Sequence, residues 1–66
     1  MTNVFEVIEK QNQALELYKK GDGTFGERVR KNKELLDIMN YLFDSIPTDE
    51  YENFILTLRI SGGLYD

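Results

Sequence analysis

The stretch at residues 21–27, GDGTFGE, decides how the first half of the chain folds. It separates two segments with helical patterns. Gly21 is predicted to end the first helix in a left-handed conformation, and Gly23 to let the chain reverse. Thr24 and Glu27 have the spacing with which a helix start satisfies its free amide groups. We therefore predict that this stretch joins two antiparallel helices.

The same residues fit the pattern G-x-G-x-x-G, and over six residues they resemble the glycine-rich loop of protein kinases. A dinucleotide-binding turn must follow a buried strand, whereas residues 14–20 have a helical pattern. The kinase loop requires valine at position 28, where this chain has Arg28. A phosphate at the free amides of residues 24–27 is opposed by Glu27 in the same turn. We interpret the match as a coincidence and predict that no nucleotide and no other cofactor binds.

The first helix is predicted over about residues 3–20. Thr2 or Asn3 can cap its start, and Lys19 and Lys20 suit the negative end of its dipole. Its apolar residues recur at steps of three and four, as on one face of a helix. These residues are Val4, Ile8, Leu15 and Tyr18.

A second helix is predicted over about residues 25–44, with Asn32 on its apolar stripe. Pro47 ends it, since proline lacks an amide hydrogen. A third helix follows over about residues 48–60, with Thr48 as its cap and acidic residues in its first turn. Residues 54–60 also alternate as a strand would, but the cap and the acidic turn favour a helix. We therefore predict an all-α, three-helix domain spanning residues 1–66.

The composition limits the range of functions. A chain of 66 residues forms one domain of marginal stability. It has no cysteine and no histidine, which excludes disulfides, thiolate or imidazole metal ligands and the common nucleophile–base pairs. We expect no enzymatic activity and no metal site. The absence of a signal-like or membrane-spanning segment predicts a cytoplasmic location.

Charge is distributed unevenly around a net of −4. The basic cluster at residues 28–33 is a candidate contact for nucleic acid, because four cations there can bind phosphates. The cluster consists of Arg28, Arg30, Lys31 and Lys33. The acidic composition and the lack of interleaved aromatic residues favour an ordinary solvated helix surface instead.

Residues 35–43 are mostly apolar, and we expect more apolar helical surface there than two neighbouring helices can cover. The sequence therefore predicts a helical homodimer or a protein partner. The alternative is a monomer in which residues 46, 64 and 65 fold over the surplus. The predicted contact residues are Val7, Leu17, Leu35, Ile38, Met39, Leu42 and Phe43.

Residues 14–22 are similar to the first helix and turn of a tetratricopeptide repeat, a helical hairpin. The second helix departs from that family, because Arg28 stands where a small residue is expected. About three such repeats are needed for stability, and this chain has room for one. We therefore predict a non-enzymatic interaction module that regulates or inhibits a partner, with a nucleic-acid-associated regulator as the alternative.

Overall fold

Four α-helices account for the regular structure in residues 3–62, the part of the chain that a computed structural model describes. They are α1 (Val4–Lys20), α2 (Phe25–Lys31), α3 (Lys33–Ser45) and α4 (Thr48–Ser61). The all-α prediction is confirmed, and residues 54–60 are helical rather than extended. The predictions made for Thr2 and for residues 63–65 lie outside the described residues.

The predicted second helix is in fact two helices, so the count of three was wrong. The backbone of Asn32 is extended (φ −120°, ψ 102°), which interrupts the helical hydrogen bonding between α2 and α3. The Oδ1 atom of Asn32 accepts a hydrogen bond from the amide of Leu35 at 3.1 Å. Asparagine is a favoured cap because its side chain replaces a missing backbone acceptor in this way. Asn32 therefore starts α3 instead of lying on an apolar stripe.

Two predicted caps are confirmed. Asn3 accepts hydrogen bonds from the amides of Phe5 and Glu6 and so caps α1. Thr24 and Glu27 form the reciprocal capping box that starts α2.

Three local predictions were imprecise or wrong. Gly21 ends α1, but its backbone is extended (φ −88°, ψ 171°) and not left-handed. The positive φ of 96° occurs at Gly23, which makes the reversal. Thr48 is the first residue of α4 and not its cap, because Pro47 occupies the cap position without a side-chain hydrogen bond. The fixed φ of proline suits a helix start, so α4 begins directly after it.

The core lies where α3 meets its neighbours, since α1, α2 and α4 all pack against it. Ala14, Leu35, Leu42 and Leu58 are completely buried. The Cα radius of gyration is 11.2 Å, close to the value of about 11 Å expected for a compact chain of this length. None of the described helices is long and apolar enough to cross a membrane.

The last turn of α4 packs tightly against the end of α1. A Cβ atom added to Gly62 would collide with the ring of Tyr18 and would lie 2.6 Å from Nη1 of Arg28. Only glycine fits at this position without a shift of its neighbours. Gly62 thereby brings the ends of α1 and α4 together with α2.

Candidate protein-interaction site

Most of the predicted contact face belongs to the core. Leu17 is half-buried, and Phe43 is 60% exposed and packs edge-on against the ring of Tyr51. The other five residues are buried, because three helices rather than two cover the broad apolar face of α3. They are Val7, Leu35, Ile38, Met39 and Leu42. A partner would not reach the four of these residues that lie on α3, whereas Val7 on α1 lines the groove described below. The expectation that residues 35–43 remain uncovered was largely wrong.

The exposed apolar surface lies elsewhere, on three of the helices. Phe5 is 83% exposed, the largest fraction of any large hydrophobic residue described. The exposed set consists of Val4, Phe5 and Ile8 on α1, Leu36 and Phe43 on α3, and Leu56 and Ile60 on α4. Isolated exposed apolar side chains are normal in soluble proteins, but adjacent ones indicate a contact surface. The three residues of α1 fall within two helical turns and so form the densest group.

An apolar groove opens beside this group, between the start of α1 and the connection from α3 to α4. It has a volume of about 330 Å³. Ile46 and Pro47 are extended, and they form the wall opposite α1. We call this depression the N-terminal groove; it is lined by Val4, Val7, Ile8, Gln11, Ser45, Ile46, Pro47 and Glu50.

The pattern of α1 explains why the groove is open. Val7, Ala14 and Tyr18 turn towards the core, whereas Val4 and Ile8 lie at the edge of the buried face. The edge residues remain uncovered because α3 has ended and only the short connection passes them. The predicted stripe of Val4, Ile8, Leu15 and Tyr18 therefore does not mark the buried face of α1, since only Tyr18 of the four is buried.

The rim of the groove is acidic. Glu50 lines the groove itself. Asp49 precedes it in the first turn of α4, and Asp44 lies in the last turn of α3. The positive end of the helix dipole stabilises carboxylates in the first turn, which explains the presence of Asp49 and Glu50 without any ligand. Glu50 nevertheless gives the apolar groove a negative charge on its border.

Arg28 is not a surface cation. It is 7% exposed, and its guanidinium donates to the carbonyl oxygens of Tyr18 (Nη1, 2.8 Å), Gly23 (Nε, 2.9 Å) and Gly62 (Nη2, 3.1 Å). Its Cζ atom also lies 4.5 Å from the ring centroid of Tyr18. Two of these carbonyls belong to the ends of α1 and α4, where helix dipoles attract a positive charge. Arg28 therefore ties three segments together, and its predicted contact with nucleic acid conflicts with its burial.

The remaining predicted cations are on the surface. Arg30, Lys31 and Lys33 are exposed. Lys31 lies 4.0 Å from Glu27, and Lys33 lies 3.4 Å from Asp37. Both pairs join residues four apart on one helix, so they are worth only a few tenths of a kcal/mol. The cluster thus offers three cations instead of four, and two of them already face a carboxylate.

Glu27 has an altered acidity because of its capping role. The hydrogen bond from the backbone amide of Thr24, followed by that from its hydroxyl and by the charge of Lys31, lowers the pKa of Glu27 below its ordinary value of 4.5. A carboxylate that accepts hydrogen bonds is stabilised in its charged form. The lowered pKa therefore marks a helix start and does not indicate catalysis.

Within residues 3–62, no three carboxylates are grouped so that they could hold a metal ion. Comparisons of the chain with protein-family models, with curated proteins and with solved structures found no match. A larger depression of about 480 Å³ lies along α1, lined by residues of that helix alone, among them Phe5, Ile8 and Gln13. The N-terminal groove is the better candidate site because two segments of the chain form its walls.

Proposed function

We propose that this chain is a small non-enzymatic module that regulates or inhibits a protein by docking on it, or on another copy of itself. The docking surface is the N-terminal groove, which includes Val7 of the predicted contact residues but none of those on α3. The absence of cysteine and histidine supports a binding function, because it removes the most common nucleophiles and general bases. A cytoplasmic location remains a prediction.

The open groove between Val4, Ile8, Ile46 and Pro47 is the observation that carries this function. Val4 is 67% exposed and Ile8 is 49% exposed, so both keep a large part of their side chains in water. Complete burial of a valine or isoleucine side chain contributes about 1.5–3 kcal/mol. Covering the exposed parts of both would therefore favour binding by about 2 kcal/mol, or about 30-fold in Kd.

A pair of matched variants tests the docking surface. Val4→Asn combined with Ile8→Asn makes one wall of the groove polar and leaves the core residues of α1 unchanged. Gln13→Asn introduces the same side chain at an exposed position of α1 outside the groove. Each tagged protein is used to capture binding proteins from a lysate of the source organism, and bound proteins are quantified by mass spectrometry.

We expect proteins that the wild type and the Gln13→Asn variant retain equally, and that the groove variant loses. Circular dichroism must show the same helix content in all three proteins. If the groove variant retains the same proteins equally well, those proteins do not bind in the N-terminal groove.

The alternative of a nucleic-acid-associated regulator is weaker than the sequence suggested, since Arg28 is buried and uses its donors within the chain. Arg30, Lys31 and Lys33 remain as contacts for phosphate. Titration of DNA and RNA at two salt concentrations tests them, because binding through phosphates weakens steeply as salt increases. Tight, salt-sensitive binding would favour this alternative over protein docking.

A further inference from the structure

The two ends of the molecule carry opposite charge. At one end, α1 begins, α3 ends and α4 begins; we call residues 3–10 and 42–52 the acidic end. It holds six carboxylates against Lys10, a net charge of −5, and the carboxylates are those of Glu6, Glu9, Asp44, Asp49, Glu50 and Glu52. We call residues 17–34 and 58–62 the basic end. There, the buried Arg28 and six other cations stand against three carboxylates, a net charge of +4.

Contacts fix which segments share each end. Arg28 holds the carbonyls of Tyr18 and Gly62, so the ends of α1 and α4 lie together with α2. The N-terminal groove brings the start of α1 to Pro47 and Glu50. The 17 residues of α1 place about 25 Å between these ends, at 1.5 Å per residue.

Exposed apolar side chains accompany the charge at both ends. The acidic end has Val4 and Ile8 in the groove. Towards the basic end, Leu56 and Ile60 are 54% and 63% exposed. These two residues are four apart in α4 and therefore form one ridge on its surface. Arg59 and Glu52 both lie beside Leu56 on α4, and the ridge runs from there towards the basic end. An apolar groove at the negative end and an apolar ridge that leads to the positive end are complementary surfaces.

The acidic residues of α4 are not matched by the cations of α2 and α3 within the chain. Lys31 and Lys33 pair instead with Glu27 and Asp37 on their own helices. The overall charge of −4 is a weak barrier to contact between copies. At physiological salt, screening acts over about 8 Å, whereas the molecule is 34 Å long. The electrostatic interaction of each end with a second copy therefore depends mainly on the charges within about 8 Å of the contact.

We propose that the N-terminal groove receives a second copy of this chain, head to tail, with the Leu56–Ile60 ridge in the groove and the basic end against the acidic end. This inference rests on the proposed docking function and names the occupant of the same groove. The surfaces on the two copies differ, so the contact repeats along a row of copies unless a ring closes. Self-association would then hide the groove at high concentration and expose it at low concentration.

Charge reversal at each end tests the geometry. Asp49→Lys with Glu50→Lys changes the net charge of the acidic end from −5 to −1 in one variant, and Arg30→Glu with Lys31→Glu changes that of the basic end from +4 to 0 in a second variant. Sedimentation velocity follows the mass of the wild type, of each variant and of their mixture over a concentration series at low and high salt. Thermal melts identify any variant that has lost its fold, and Glu50→Gln then serves as the milder substitute for the first variant.

The wild type should exceed the mass of a dimer at low salt and should dissociate as salt increases. Each variant alone should associate about tenfold more weakly, because most of the charge attraction across the contact is then lost. The mixture should recover a complex, since one partner retains an intact acidic end and the other an intact basic end. Self-association of both variants at the wild-type level would overturn the head-to-tail contact.

A wild type that remains monomeric at every concentration and at low salt would also overturn it. The docking function would survive that result if the Val4→Asn, Ile8→Asn variant still lost proteins that the wild type captures. Both proposals would be refuted together if the charge variants self-associate like the wild type and the Val4→Asn, Ile8→Asn variant captures the same proteins as the wild type.

Discussion

Replacing Arg28 with methionine should strongly destabilise the fold, although a cation in a basic cluster is usually a tolerant surface position. Methionine keeps much of the aliphatic stem and removes all three donated hydrogen bonds, to Tyr18, Gly23 and Gly62. Hydrogen bonds to charged groups contribute about 1.5–3 kcal/mol each. Two of the three are only partly buried, so water can replace part of the loss.

We therefore expect Arg28→Met to lower the free energy of unfolding by about 3 kcal/mol. A domain of this length has only about 3–10 kcal/mol in total, and the melting temperature should fall by roughly 12–24 °C. Arg28→Lys retains the charge but not the planar fork, so it should recover less than half of the loss.

Thermal denaturation followed by circular dichroism measures the effect, with Arg30→Met as the matched control. Arg30 is exposed and contacts only the Gly26 carbonyl of its own helix, at 3.3 Å, so its replacement should change stability by less than about 0.5 kcal/mol. Hydrogen exchange should also show lost protection at the ends of α1 and α4 in Arg28→Met. Equal melting temperatures for the two variants would refute the reasoning that Arg28 joins these helix ends.

Three further results follow from local structure. Gly62→Ala should lower the free energy of unfolding by about 1–3 kcal/mol in chemical denaturation, because the added Cβ has no space. Gly26→Ala should raise it by about 0.5–1 kcal/mol in the same assay, because nothing lies within 4 Å of the added Cβ. Asn32→Ala should cost about 1 kcal/mol through loss of the cap on α3, and an unchanged denaturation midpoint would count against the break between α2 and α3. An NMR titration should give Glu27 a pKa below 4.5 that rises in Thr24→Ala. Because this pKa is lowered by folding, the stabilisation from Glu27 should be present above the unfolded value and lost as pH falls through the folded one.

Helix type and most helix ends were predictable because their signals are local. Asn3, the Thr24–Glu27 box and Pro47 each act on backbone groups within a few residues, so their spacing in the sequence is sufficient. The break at Asn32 was missed because the apolar stripe continues across it in register. The change from polar residues before Leu35 to apolar ones after it was the available sign of two separate helices.

The candidate site was harder to predict because burial depends on which helices become neighbours. A broad apolar face on α3 indicates excess surface if two helices cover it, and indicates a core if three do, as occurs here. Arg28 was read as exposed because charged residues seldom lie inside unless they are paired. Its partners are carbonyls at residues 18, 23 and 62, and the last of these is far away in the sequence. A pattern within one helix cannot reveal such a contact.

The most direct measurement of the docking function is site-specific photo-crosslinking in living cells. A photoreactive amino acid at position 4, in the N-terminal groove, is compared with the same amino acid at position 13, on the same helix but outside the groove. We predict that position 4 gives a discrete covalent adduct with protein, either a second copy or another chain, and that position 13 does not. Equal, diffuse labelling from both positions would contradict the claim that the groove is where this protein binds.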